Sequence, residues 1–171
     1  MKNILTLCFL FCSFTLFAQT PEEKLAEMNI ELFKPQPPVA NYVRAVTTGN
    51  LVFIAGHGPG KADGTYIRGK LGKDLTIEEG YQAARQTGIA ILSTLKAHLG
   101  DLSKIKRIVR VKGMVNCTPD FYNQPKVING FSDLMVEVFG ENGKHARAAV
   151  GMVSLPSNIA VEVEMVVELK E

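Results

Sequence analysis

The chain has 171 residues, of which 46% are hydrophobic and 21% charged, and its net charge is +2. That length holds one domain with a sizeable core and is short for two, and the composition excludes a disordered chain and a wholly membrane-embedded one. No nucleic-acid partner is expected, because no basic cluster stands out: Lys104, Lys106, Arg107, Arg110 and Lys112 come closest, and their mostly two-residue spacing makes one solvated strand face.

Met1-Lys2-Asn3 carries one positive charge, Ile4 to Phe17 is apolar apart from small polar residues, and Ala18 stands before Gln19. This order predicts a secretory signal over residues 1–18. The run is too short to span a bilayer comfortably; the other reading is a buried N-terminal helix. Cleavage gives an exported protein, periplasmic or secreted, with no membrane attachment. Cys8 and Cys12 follow Leu7 and Phe11, not the small residue of a lipoprotein processing site. Both leave with the signal, so Cys117 remains alone and forms no internal disulfide. Its neighbours Asn116 and Thr118 supply neither a base nor a positive charge to activate the thiol.

Residues 19–38 read as an arm. Leu25, Met28 and Leu32 share one face of a short helix over Pro21 to Leu32, and Lys34-Pro35-Gln36-Pro37-Pro38 stops it. A domain over 39–171 follows. Tyr42 to Thr47 and Leu51 to Ala55 read as strands joined by a tight turn at Gly49-Asn50. Gly56-His57-Gly58-Pro59-Gly60 then forces an irregular loop, which either lets a ligand approach the backbone or only turns sharply. It matches no phosphate-binding fingerprint. Thr76-Ile77-Glu78-Glu79 fits a capping box. Ile77, Tyr81, Ala84, Gly88, Ile91, Leu95 and Leu99 then form the core stripe of a long helix that Gly100 ends.

Lys106 to Val115 alternates as a strand, with Val109, Val111, Gly113 and Val115 opposed to Ile108, Arg110, Lys112 and Met114. Thr118-Pro119-Asp120 caps a helical turn. A second helix runs from about Lys126 to Phe139, with Val127, Phe131, Leu134 and Val138 facing inward, and Gly140 closes it. Arg147 to Val153 and Ala160 to Glu168 are the last strands, separated by Pro156-Ser157-Asn158. Two amphipathic helices and roughly six strands suit an α+β sheet with both helices on one face. The other face then needs cover, which points to sister subunits.

No serine nucleophile elbow, HExxH or other metal-ligand spacing is present. His98 reads as a surface residue near a helix end. His57 either reaches a pocket or bonds solvent or backbone. Arg147 stands among small and apolar residues in His145-Ala146-Arg147-Ala148-Ala149-Val150-Gly151. It either finds an anion, with a carboxylate taking two parallel hydrogen bonds, or is a surface arginine on an edge strand. Glu162 and Glu164 lie on the adjoining strand, where one of them would face Arg147 as an ion-pair partner or as an acid/base beside a ligand.

Arg147-Ala148-Ala149-Val150, Leu155-Pro156 and Val161-Glu162-Val163-Glu164 together resemble the C-terminal signature of the RidA/YjgF (L-PSP) family. Asn41-Tyr42-Val43-Arg44-Ala45-Val46 with Gly49-Asn50-Leu51 resembles its opening hairpin, and Asn129 falls where that family has a helix asparagine. The resemblance covers about Val39 to Glu168. The arm, Arg68-Gly69-Lys70-Leu71-Gly72, Phe139-Gly140-Glu141 and His145-Ala146-Arg147 resemble a longer branch of it.

The resemblance implies a chorismate-mutase-like fold and a homotrimer with clefts between subunits. It implies hydrolysis of reactive 2-imino or enamine acids to 2-keto acids and ammonia without a metal or organic cofactor. In that reading Arg147 clamps the substrate carboxylate, Glu162 positions or deprotonates water, and Tyr42 and Asn129 line the cleft. The alternative is a non-enzymatic trimer that binds small carboxylates or protein surface; endoribonuclease action ranks below both. The chain departs from the archetype at Ala55-Gly56-His57, where a serine and a glutamine are lost, at Ala40-Asn41 and at Ala149. Whether His57 replaces a lost cleft group is left open by the sequence.

Overall fold

A computed structural model describes residues 19–38 and 40–171, so the expected signal at 1–18 lies outside the described residues. Helix α1 (Pro21–Glu27) starts at Thr20, whose hydroxyl accepts from the Glu23 amide while the Glu23 carboxylate accepts from the Thr20 amide. It is shorter than its apolar spacing predicts. Asn29 turns left-handed at φ 55°, which ends the helix, and Met28, Ile30 and Leu32 pack from irregular backbone instead. The arm is tied to the domain by polar contacts. Glu22 accepts from Lys96 Nζ at 2.7 Å and from the Leu102 amide at 2.8 Å, and the Phe33 amide donates to Ser93 Oγ at 3.2 Å.

Strands β1 (Ala45–Thr48) and β2 (Leu51–His57) form a hairpin whose turn uses Gly49 at φ 56°. Helix α2 (Ile77–Leu99) begins at the Thr76–Glu79 capping box and ends at Gly100, left-handed at φ 79°. Strand β3 (Ile105–Asn116) leads through a turn to helix α3 (Gln124–Phe139). That turn is a single hydrogen bond from the Phe121 amide to the Thr118 carbonyl, with no helical turn at Pro119. Strands β4 (Ala146–Met152) and β5 (Val161–Leu169) complete the chain.

The sheet holds five strands in the order β1-β2-β5-β3-β4. The segment after β2 adds only isolated bridges, Gly60 with Tyr66, Arg68 with Ile159, and Leu71 with Leu75 and Cys117. The last strand in sequence is the middle strand in space. Both β2 and β3 run antiparallel to β5, and β4 pairs with β3 in parallel as an edge.

The helices cover one face. Ile91, Leu92 and Leu95 of α2 and Phe131, Leu134 and Met135 of α3 are fully buried against Val111, Val115, Val161, Val163 and Val167 of the sheet. Each such side chain stabilises the fold by about 1.5–3 kcal/mol. Two bulges adjust the simple alternation. One between Ile108 and Arg110 places Ile108 in the core with Val111, against the expected phase. The other lies between Ile54 and His57 and matters for the site.

The second sheet face carries no helix. Val46 and Phe53 stand there, 52% and 46% exposed, beside Arg110, Lys112, Glu164 and Val166. Together they line an open trough of about 560 Å³. No described helix is long and apolar enough to cross a membrane.

Candidate functional site

Arg147 sits on the edge strand β4, opposite Val111 of β3 in the parallel register. Paired residues project to the same face, and Val111 is in the core, so Arg147 points to the helix side. There the guanidinium meets α3. Arg147 Nη1 donates to Asn129 Oδ1 at 3.0 Å and to Ser132 Oγ at 3.0 Å. Asn129 and Ser132 are three residues apart, hence neighbours on one helix face. Nη1 has two hydrogens, and both are used. The Nε–Nη2 edge has no partner among the described residues, and this is the side of a guanidinium that takes a carboxylate through two parallel bonds.

His145 lies two residues before Arg147. Its Nδ1 is 2.7 Å from the Gly143 carbonyl and its Nε2 3.0 Å from Ser132 Oγ. Burial, together with the nearby Arg147 charge, holds its pKa below the ordinary imidazole value. Ser132 is not singled out by the sequence, and His145 is named there only as the start of the Arg147 motif, with no role of its own. The two-residue step from His145 to Arg147 and the three-residue step from Asn129 to Ser132 were the signals available.

Glu162 is elsewhere. It lies on β5 opposite Met114, and β3 separates β5 from β4. Its neighbours Val161 and Val163 are in the core, so Glu162 points to the helix-free face. The expected pairing of Glu162 or Glu164 across the strand from Arg147 is therefore corrected. Arg147 opposes Val111, and Glu164 opposes Lys112 with Nζ–Oε2 at 3.7 Å. Within one chain Arg147 and Glu162 serve opposite faces. Glu162 is half-buried and accepts no hydrogen bond among the described residues. Burial raises its pKa, with Glu164 adding to the rise and Lys112 opposing it. Such a carboxyl is poised to exchange a proton. Its Oε1 rests on Gly56, where an added Cβ would overlap it.

His57 is turned the other way. The bulge after Ile54 adds one residue, so the ring enters the core where plain alternation would send it outward. It is 4% exposed, with Nδ1 2.7 Å from the Ala55 carbonyl and Nε2 2.9 Å from Thr94 Oγ1. Desolvation lowers its pKa to about 4. With both nitrogens engaged inside the chain, His57 holds α2 to the sheet and offers a ligand no free atom. Tyr42 precedes β1 and is 46% exposed. Asn129 is thus brought to Arg147, whereas Glu162 and His57 are not. Among the described residues no cluster of three or more His, Cys, Asp or Glu side chains is placed to hold a metal ion.

Comparison with known proteins agrees with this architecture. The family described as "YjgF/chorismate mutase-like, putative endoribonuclease" matches residues 22–169. Protein TCP17 of Trypanosoma cruzi is 42% identical over 146 residues, covering 85% of this chain and 91% of that protein. The crystal structure of Atu1372, a protein of unknown function from Agrobacterium tumefaciens, is 41% identical with a TM-score of 0.81, covering 89% of this chain and 94% of that one. That of an endoribonuclease-named protein from Shewanella oneidensis is 34% identical with a TM-score of 0.85, covering 88% and 100%. RidA from an Antarctic Psychrobacter, 23% identical with a TM-score of 0.56 over 80% of this chain and 94% of that one, shares the fold. With five strands, helices on one face and a match that takes in both the arm and the domain, the chain belongs to the YjgF/chorismate mutase-like family.

Proposed function

We propose that the protein is a homotrimeric hydrolase of small 2-imino acids, exported from the cytoplasm, with a site formed between neighbouring chains. The observation that carries this reading is the free Nε–Nη2 edge of Arg147, set by Asn129 and Ser132. That edge clamps the substrate carboxylate and fixes the adjacent C=N carbon. Glu162 of a neighbouring chain then takes a proton from water as the water oxygen adds to that carbon. The imine nitrogen gains a proton, ammonia leaves, and a 2-keto acid remains. Catalysis is mainly by positioning. The raised pKa of Glu162 suits it to accept that proton and return it to the leaving nitrogen.

Two observations support an assembly. Arg147 and Glu162 face opposite sides of one sheet, so a ligand touching both needs two chains. The helix-free face exposes Val46 and Phe53, which sister subunits would cover. Glu162 and Glu164 on that face offset Arg110 and Lys112, which disfavours RNA as the substrate.

A non-enzymatic carboxylate binder is the second reading, favoured by the fact that one chain supplies the clamp alone. The two are separated by generating 2-iminopropionate with an amino-acid oxidase and following its loss spectroscopically. The hydrolase speeds that loss over the oxidase alone and elutes at trimer mass by light scattering. An unchanged rate, with 2-keto acid binding retained in calorimetry, rejects the hydrolase in favour of the binder.

A further inference from the structure

Arg147, Ser132 and His145 form a hydrogen-bonded series whose direction is set at its far end. The Gly143 carbonyl 2.7 Å from His145 Nδ1 can only accept, so Nδ1 carries the proton. The neutral ring therefore presents a lone pair at Nε2. Ser132 Oγ, 3.0 Å away, must donate its hydroxyl proton there. That choice leaves the serine oxygen as an acceptor for Arg147 Nη1. Each bond polarises the next in the same sense. The imidazole also packs against Phe131 in a T-shaped pair, with ring centroids 6.4 Å apart at 79°.

We infer that Ser132 and His145 are positioning residues for Arg147, holding the guanidinium in the rotation that leaves its Nε–Nη2 edge free for a carboxylate. Asn129 alone uses one Nη1 hydrogen and leaves the group free to swing about that bond. Ser132 takes the second hydrogen and fixes the plane. His145 keeps the serine proton from pointing at the guanidinium. The inference rests on the reading of Arg147 as a carboxylate clamp, and it adds two residues that touch no substrate.

The test is titration of pyruvate by calorimetry into the full chain and three variants. Ser132→Ala and His145→Phe are expected to weaken pyruvate by about three- to tenfold, the loss of one supporting hydrogen bond. Ser132→Thr, which keeps the hydroxyl, is expected to restore affinity to within about twofold of wild type. Unchanged affinity in both Ser132→Ala and His145→Phe overturns the inference. A second measurement needs no ligand. Nitrogen NMR of Arg147 should resolve Nη1 from Nη2 in the wild type and merge them in Ser132→Ala, because restrained rotation keeps them distinct; merged signals in the wild type also overturn it. Wild-type protein that ignores pyruvate overturns the clamp reading, and the NMR comparison then decides the positioning by itself.

Discussion

Arg147→Ala is expected to weaken 2-keto acid binding by about a hundredfold. The substitution removes two charge-assisted hydrogen bonds to a carboxylate, each contributing about 1.5–3 kcal/mol in a desolvated site. Arg147 is exposed in the single chain, so solvent screening favours the low end, about 3 kcal/mol in total. Lysine should rescue little of this. An ammonium cannot hold Asn129 and Ser132 while presenting a planar fork to the ligand. Melting temperature should change only slightly, because the lost intrachain contacts are surface hydrogen bonds between β4 and α3. Calorimetry with pyruvate reads the effect. Equal affinity in the variant would remove Arg147 from the site.

Gly130→Ala is expected to lower stability by about 3 kcal/mol, which corresponds to about 6–12 °C in melting temperature for a chain of this size. Gly130 lies on α3 where that helix meets α2. A Cβ there would overlap the Tyr81 carbonyl oxygen and come within 2.8 Å of its carbon. The obstacle is helix backbone, which cannot rotate away as a side chain would. The two helices must separate, and Phe131 and Leu134 lose close contact with the layer beneath. Gly130 also directly follows Asn129 and stands two residues before Ser132. A shift of α3 moves both anchors of Arg147, so ligand affinity should fall together with stability. Calorimetric melting and pyruvate titration of the same variant check both effects. A melting temperature within about 2 °C of wild type would mean that the helices can part without cost.

The sequence made the helices legible because their signals are local. Thr76 with Glu79, the stripe from Ala84 to Leu95, and Gly100 all act within a few residues of one another. Helix α1 is shorter than its apolar spacing predicts because Ile30 and Leu32 stay apolar and packed after Asn29 has broken the helix. Apolar spacing records burial and not the backbone that achieves it. The identity of Arg147 was legible from its motif, but its face was not. That depends on β3 lying between β4 and β5, a pairing of strands distant in sequence. His57 shows the same limit on a smaller scale. One extra residue in β2 reverses which side it occupies, and nothing in Ala55-Gly56-His57 announces that residue. Gly56 has a reason visible only in space, since it leaves room for the carboxylate of Glu162.

Because Arg147 and Glu162 face opposite sides of one sheet, the proposed hydrolase site has to be shared between two chains, and subunit mixing probes that sharing. Arg147→Ala and Glu162→Gln chains, each inactive by itself, are unfolded together in equal amounts and refolded. Every mixed trimer then contains one interface that joins an intact Arg147 to a neighbour's intact Glu162, and the imine-hydrolysis rate should recover to about a quarter of wild type. Mixed protein that stays at the background rate would contradict a site built from two chains.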